Sequence, residues 1–518
     1  MVRRRLAFAA AVGTLVACAG PNAGPAVPFS QSRLASQALP EQMQALTEPP
    51  IVRARNGIVH VGLFVVDNPA TGQPAFKYQG TIGDAPTIDV RPGETIDVEL
   101  HNQLSPHIPP GPSMDAMGMQ RTFQNDVNLH FHGLGSSPQR PGDDVLTMIA
   151  DPEQGLRYVI HVPANQEPGL YWYHAHVHGV VNYQVGESGM SGALVVEGLD
   201  RHIPVLAKMT QHVLIVRSMG NDDDAQPNHS NTAPCATSDH LTTTINGTHR
   251  PAISIAPGEQ QFFRLVNATG HKTLVLNIHG ETMQLIARDG FALDTYPGTP
   301  VSETKHTIVV PPASRAEFVV TGPSTGHGVL RTLCYHTGAN GDPDPEMTLA
   351  LLRSPANHRR SMRNPRPIVA GAPLPRNAYT TQLPAPAAKR LVILSEGPKP
   401  RFYINGQTFK ADAKPMFVVH VGTTEEWQIE NVSQEIHDFH IHQIHFVVEK
   451  VDGISVKPRY WADTIVVPHR HFVSGKSVAG SLLLLMDFRD PVIRGEFVFH
   501  CHILDHEDQG MMAKVEAI

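Results

Sequence analysis

The chain runs to 518 residues with a formal charge of −7, 44 prolines and 42 glycines. One hydrophobic core does not grow to that size, so domains of ~100–200 residues put the count at about three, and an acidic balance without an extended basic face excludes nucleic acid as the main partner. Abundant proline and glycine around short alternating runs such as TIDVELHN exclude a mainly helical protein and predict an all-β one, while histidine, with 30 copies, is the compositional outlier.

Residues 1–18 open with a cationic MVRRR, continue through a short apolar run and end in small residues before Cys18. This is an export signal, too short to span a bilayer as a permanent helix, and it predicts a periplasmic or cell-surface location. Leu15-Val16-Ala17-Cys18 resembles a bacterial lipobox, which implies a lipid anchor on Cys18; an ordinary cleaved signal peptide is the plainer alternative. Residues 19–48 follow as a tether.

Three later stretches align without a gap: PTIDVRPGETIDVELHN from Pro86, PAISIAPGEQQFFRLVN from Pro251 and PMFVVHVGTTEEWQIEN from Pro415. Each reads as a hairpin of strand, tight turn at glycine, and strand. One supersecondary unit recurring at near-equal spacing predicts three related β-sandwich domains, at residues 49–200, 201–354 and 391–518, with the Pro- and Arg-rich stretch 355–390 as the linker before the third. Between the first hairpin and the first histidine pair lies an irregular insert carrying Met114, Met117 and Met119. In an oxidising compartment Cys235 and Cys334 are candidates for a disulfide; two unpaired buried thiols are the alternative.

HxH pairs occur at His130/His132, His174/His176, His176/His178, His440/His442, His469/His471 and His500/His502. So many histidines give some such pairs by chance, and context has to discriminate. On a strand, side chains at i and i+2 leave the same face, so an HxH strand offers two imidazoles to one metal cluster. Two such strands from the first domain and two from the third supply eight ligands. Parity separates a second site: His437 lies three positions before His440, and Cys501 lies between His500 and His502, so both point away from the cluster. With His506 and Met511 in the following loop they form the His₂Cys arrangement, with a weak axial methionine, of a blue-copper electron-transfer site. Cys501 thus joins two centres through its own backbone, on the order of 12 Å apart by chain geometry.

The segments HFHG, WYHAHVHG, HDFHIH and HCHILDHEDQGMM, in this order, resemble the four copper motifs of the multicopper oxidases, a family of laccases, cuprous oxidases and ferroxidases. The resemblance implies three consecutive cupredoxin-like Greek-key β-sandwich domains and four coppers per chain: one type 1, one type 2 and two type 3. By position it gives type 1 copper His437, Cys501, His506 and Met511; type 2 copper His130 and His440; and the type 3 pair His132, His174, His176, His442, His500 and His502. Phe131 stands where many members have Trp, and Asp438 where many have Pro. Glu507 matches an acid that some bacterial laccases place near the dioxygen channel, and Asp143 or Asp144 matches the acid near type 2 copper, which makes these three the candidate catalytic proton carriers.

What the resemblance implies is oxidation of a donor four times, one electron each, coupled to reduction of O₂ to two waters. Phenols or aromatic amines are the expected donors, as in laccases; Cu(I), Fe(II) or Mn(II) are the alternative, and Met114, Met117 and Met119 would then suit a Cu(I) dock where loop packing is the plainer reading. A copper-free scaffold or a simple electron carrier is the reading from another class, and a full ligand set argues against it. His178, His445, His469 and His471 are expected to support the fold rather than bind metal.

Overall fold

The computed structural model describes residues 44–106, 123–218, 243–355, 365–371, 383–397 and 402–518. The expected export signal with Cys18, the Met114/Met117/Met119 insert, Cys235 and most of the expected linker lie outside the described residues. Cys334 is disulfide-bonded, and since Cys501 is the free cysteine among the described residues, the partner of Cys334 lies outside them.

Alternation does the folding. In Ile58–Asp67 the sequence IVHVGLFVVD buries Val59, Val61, Leu63 and Val65 and leaves the residues between them outward, each buried aliphatic side chain contributing about 1.5–3 kcal/mol. Strands of this kind pair into six main sheets, two facing sheets in each of three successive units, the cupredoxin-like all-β architecture. In the last unit one sheet orders Phe402–Ile404, Ala388–Glu396, Thr423–Asn431, Gly480–Phe488, Phe446–Val451 and Ile454–Ser455. The facing sheet orders Phe417–Val419, Met512–Ala517, Gly495–Cys501, His437–Ile441 and Thr464–Val467.

The three repeats are not hairpins, and here the structure corrects the sequence reading. Thr87–Val90 pairs with Ile51–Arg53 and Ser191–Val196, whereas Thr95–Asn102 pairs with Ile58–Asp67 and Gly155–His161. The two halves of the repeat therefore belong to facing sheets, and the glycine turn is a corner that carries the chain across the sandwich. The same division holds for Ala252–Ser254 against Gln260–Asn267 and for Phe417–Val419 against Thr423–Asn431. Gly93, Gly258 and Gly422 each take positive φ, the third position of a type II turn. In the first two copies the glutamate after glycine accepts a hydrogen bond from the amide that starts the turn, Glu94 from Arg91 and Glu259 from Ala256, each at 2.8 Å. The asparagine that closes each repeat is buried and bridges neighbouring loops: Asn102 donates to the Asn125 and Ala150 carbonyls, Asn267 to those of Lys272 and Val310, and Asn431 to those of Glu435 and Val467.

The strands that carry histidine break the alternation rule. Gly169–His174 and His437–Ile441 are buried on both faces, because one face meets its own sandwich and the other meets a neighbouring unit. A strand covered on both sides has no solvent face to place polar groups on, so its polar side chains have to find partners inside.

Candidate metal centres

The first group is built within the third unit. Cys501 ends the Gly495–Cys501 strand opposite Phe439, and His437 starts the adjacent strand. The short helix Leu504–Asp508 returns His506 over them. The Cys501 Sγ lies 3.7 Å from His437 Nδ1 and 3.6 Å from His506 Nδ1, and the two ring nitrogens are 3.0 Å apart. Met511 is wholly buried, its carbonyl accepts the Cys501 amide at 3.0 Å, and its own amide donates to the His506 carbonyl. The far nitrogens point away from the sulfur: His437 Nε2 meets Ser433 Oγ at 3.1 Å and Glu396 Oε1 at 3.8 Å, and His506 Nε2 meets Glu435 Oε1 at 3.4 Å. Burial and the adjacent Glu396 carboxylate push Glu435 up to about 8.

The second group lies between the first and third units. Opposing ladders set it: His130 faces His174, and His440 faces His500. Both members of His130/His132 lie in a strand, while His176, His442 and His502 sit just beyond strand ends. The eight rings converge into three sets of potential ligand atoms within 4.8 Å: His130, His132 and His440; His132, His174 and His502; His176, His442 and His500. Ring tautomers follow from the flanking acceptors. His130 Nδ1 donates to Asp143 at 2.9 Å, His174 Nδ1 to the Ala175 carbonyl at 2.8 Å, His440 Nδ1 to the Asp463 carbonyl at 2.9 Å and His500 Nδ1 to the Cys501 carbonyl at 3.0 Å. Each leaves Nε2 with a lone pair. His500 Nε2 faces His176 Nε2 at 3.4 Å and His442 Nε2 at 3.2 Å, and those of His130, His174 and His440 have no hydrogen-bond partner among the described residues.

Buried lone pairs aimed at one another are costly unless something positive lies between them. Burial and neighbouring rings hold His132, His174, His176, His440, His442 and His502 well below the usual histidine range, so these imidazoles are neutral. Burial also takes His437 down to about 3 and pushes the Cys501 thiol up. Neutral imidazoles with a thiol that needs a cation to ionise are a donor set that fits soft metal ions, copper among them.

Adjacent aspartates part company. Asp143 holds His130 and accepts both the Phe131 amide at 3.1 Å and Gln443 Nε2 at 2.8 Å. Asp144 faces the opposite way, where it accepts the Leu146 and Thr147 amides and pairs with Arg140; its geometry is that of a loop support, and the candidate catalytic role falls to Asp143 alone. Glu507 is buried against the cluster, Oε1 3.5 Å from His176 Nε2 and Oε2 3.1 Å from His500 Nδ1.

Two residues at the cluster escape the sequence reading. Asp463 is fully buried, with Oδ1 3.3 Å from His132 Nε2 and Oδ2 3.3 Å from His445 Nε2. Arg315, from the middle unit, clamps it with two bonds of 2.8 Å and 2.6 Å and also donates to the Leu170 carbonyl of the first unit at 3.2 Å. Burial alone would raise the Asp463 carboxyl; Arg315 and His132 outweigh it and hold it well below the carboxylate range. A Cβ at Gly133, φ +84, would stand 2.5 Å from the Arg315 guanidinium and 2.7 Å from the Asp463 carboxylate, so the glycine of HFHG makes room for this pair. A signal was present in WADTI, where one acid interrupts an apolar run, and in SRAEFVV, since a charge buried in a strand needs a counter-charge.

The remaining histidines have structural surroundings. His445 meets Asp463 and the edge of Phe291, and His178 packs between His176 and Phe409. His469 and His471 are half-buried beside the small ribbon His471–Val473 and Lys476–Val478.

Family models described as multicopper oxidase match residues 71–201, 204–356 and 382–517. A laccase of Bacillus subtilis is 23% identical over 492 residues, covering 83% of this chain and 88% of that protein. A multicopper oxidase of Staphylococcus haemolyticus is 24% identical over 449 residues, covering 83% and 81%. Among solved structures, a multicopper oxidase from Campylobacter jejuni described as a metallo-oxidase superposes with a TM-score of 0.69 at 22% identity, covering 92% of this chain and 95% of that one. A multicopper oxidase of the hyperthermophile Aquifex aeolicus gives 0.68 at 19% identity, covering 92% and 99%.

Proposed function

Since the chain belongs to the multicopper oxidase family, we propose that it draws electrons singly from phenols or aromatic amines at the Cys501 site and passes them to dioxygen at the eight-histidine cluster. When bound, copper supplies one-electron acceptance at the first site and reduction of O₂ to water at the second. In this reading His437, Cys501, His506 and Met511 would hold type 1 copper, and His130 and His440 would hold type 2. The type 3 pair would take the remaining six, with the convergent sets His132, His174 and His502 and His176, His442 and His500 supporting that assignment.

The observation that carries the reading is the end of one strand. Cys501 faces the mononuclear group while His500 and His502, its direct neighbours, face the cluster. The His500 Nδ1 bond to the Cys501 carbonyl adds a second connection beside the covalent one. Glu507 is placed to hold a proton at an oxygen beside His176 and His500, and Asp143 fixes the tautomer of His130. Leu504–Asp508 and its surroundings exclude water from Glu507. The amino-terminal signal supports work outside the cytoplasm, with Cys18 as the point of a lipid anchor.

A second reading, a metal-ion donor, has one feature in its favour: the Glu396 and Glu435 carboxyls beside the far nitrogens of His437 and His506, which attract cations once ionised. Oxygen uptake by the copper-loaded protein with a methoxyphenol, and separately with Cu(I) and Fe(II), tests both. Uptake with the phenol, accompanied by a blue thiolate band, supports the first; uptake confined to the metal ions replaces it with the second; and loaded protein without uptake on any donor sinks both.

A further inference from the structure

We propose that the small ribbon His471–Val473 and Lys476–Val478 is a membrane-docking element, and that the surface it binds is an anionic lipid bilayer. The inference does not depend on which donor the protein oxidises.

The ribbon is a hairpin that belongs to none of the six main sheets. Its strands pair with each other, Val473 opposite Lys476, and with no further strand among the described residues. Ser474 and Gly475 close it with φ of 51° and 77°, the two-residue turn whose twist suits a tight hairpin. Residues 472–478 are all exposed. A period of two puts Phe472 on one face and Val473 and Val478 on the other, and both faces meet solvent, so packing within the described chain does not account for these side chains. Phe472, at 73%, is the most exposed large hydrophobic side chain among the described residues, with Val473 at 51% and Val478 at 40%.

Single exposed apolar residues need no explanation, but clustered ones do, and these share one end of the third unit with two more. Val432 follows the strand partner of Gly480, and Ile454 lies beside the turn where the Asp452 amide donates to the Ser481 carbonyl at 2.8 Å; both are exposed.

Charge selects the occupant. The chain as a whole is acidic, yet no acidic residue falls between Asp463 and Asp487, and the hairpin and its root carry His469, Arg470, His471 and Lys476. Aromatic and aliphatic groups with Arg and Lys beside them match the interface of a bilayer, where the apolar groups enter the boundary between headgroups and acyl chains and the cations reach the phosphates. The apolar groups stand on both faces of the ribbon. A flat protein surface covers one face; a fluid bilayer surrounds both. The tight turn fixes the hairpin before it docks, which limits the ordering entropy lost on binding. At the root the Arg470 amide donates to the Ser433 carbonyl at 2.8 Å, and Ser433 Oγ meets His437 Nε2. The ribbon thus springs from the loop that supports His437, and docking brings that loop close to the lipid.

The test uses the full, copper-loaded chain with Cys18→Ser in every arm, so that no acyl chain contributes. Phe472→Trp serves as a reporter, and vesicles of phosphatidylcholine are compared with vesicles that also contain phosphatidylglycerol. With the anionic vesicles the reporter emission should shift to the blue and be quenched by brominated lipid, and both effects should weaken as salt is raised. Arg470→Gln with Lys476→Gln should lower co-sedimentation with anionic vesicles by about fivefold per cation, and Phe472→Ser with Val473→Ser by about tenfold or more. Equal binding to both kinds of vesicle, or a cation variant that binds as wild type does, overturns the inference. Emission that ignores vesicles overturns it as well and leaves a protein partner as the occupant. A blue shift that follows protein concentration without lipid assigns the ribbon to a second copy of this chain and equally ends the proposal.

Discussion

The two candidate centres are assembled by different rules. All three residues of the Cys501 group come from one sheet of one unit and the helix that follows it, and that helix rests on the other two units, with Asp508 accepting the Val181 and Asn182 amides and the Leu504 amide donating to the Gly270 carbonyl. The eight-histidine cluster is split between the first and third units, and its rings are held by Asp143, Gln443, Asp463 and Arg315, the last supplied by a unit that gives no ligand. One unit supplies every side chain of the first centre; docking of units brings together those of the second. Perturbations should therefore separate them.

The sharpest separation is Cys501→Ser. It should abolish the blue thiolate band and reduce donor-driven oxygen uptake to the level of metal-free protein, while near-ultraviolet absorption of the cluster persists. Loss of both signals together would mean that the centres are not independently built. Next in size is Glu507→Gln, expected to lower turnover at neutral pH by ~10²-fold or more, within the usual range for removing a positioned proton carrier, with copper content unchanged by metal analysis.

Asp463→Asn and Arg315→Met address the docking rule. Groups that orient metal-binding histidines typically contribute ~10–100-fold to affinity, and stranding one member of a buried ion pair costs about 3–5 kcal/mol. Either variant should lose cluster copper and thermal stability and keep its blue band; a loss that falls first on the blue band would break the comparison. The smallest effect is expected at the outer edge of the Cys501 group. Because Glu435 is raised to about 8, it is protonated below that pH and gains its charge above it. Preference for a cationic over a neutral donor should grow as pH rises through about 8, by a few-fold for a partly exposed charge at ~1 kcal/mol or less, and Glu435→Gln should flatten this dependence in steady-state kinetics.

Much of the site was legible because strand parity is local. The offset of His437 from His440, and of Cys501 from its neighbours, needs only a period of two to separate two faces. The all-β character and the threefold recurrence were legible for the same reason. What escaped depends on partners far along the chain. Strand, glycine turn and strand look alike in a hairpin and in a corner between sheets; only pairing with Ile58–Asp67 or Ser191–Val196 distinguishes them. Asp143 and Asp144 are adjacent in sequence and opposite in direction, and nothing nearby says which one turns inward. Arg315 and Asp463 meet across 148 positions, so each alone reads as an oddity in an apolar strand.

The clamp from Arg315 to Asp463 and Leu170 also bears on how the protein matures. A nascent chain has no complete eight-imidazole chamber until its penultimate strand, Gly495–Cys501, lies beside the first unit and the middle one has locked behind it, so that chamber is completed late. The thiolate pocket draws all its side chains from the carboxy-terminal unit, so they are already near one another when that unit folds, and docking has only to seat the helix that carries His506 against Val181, Asn182 and Gly270.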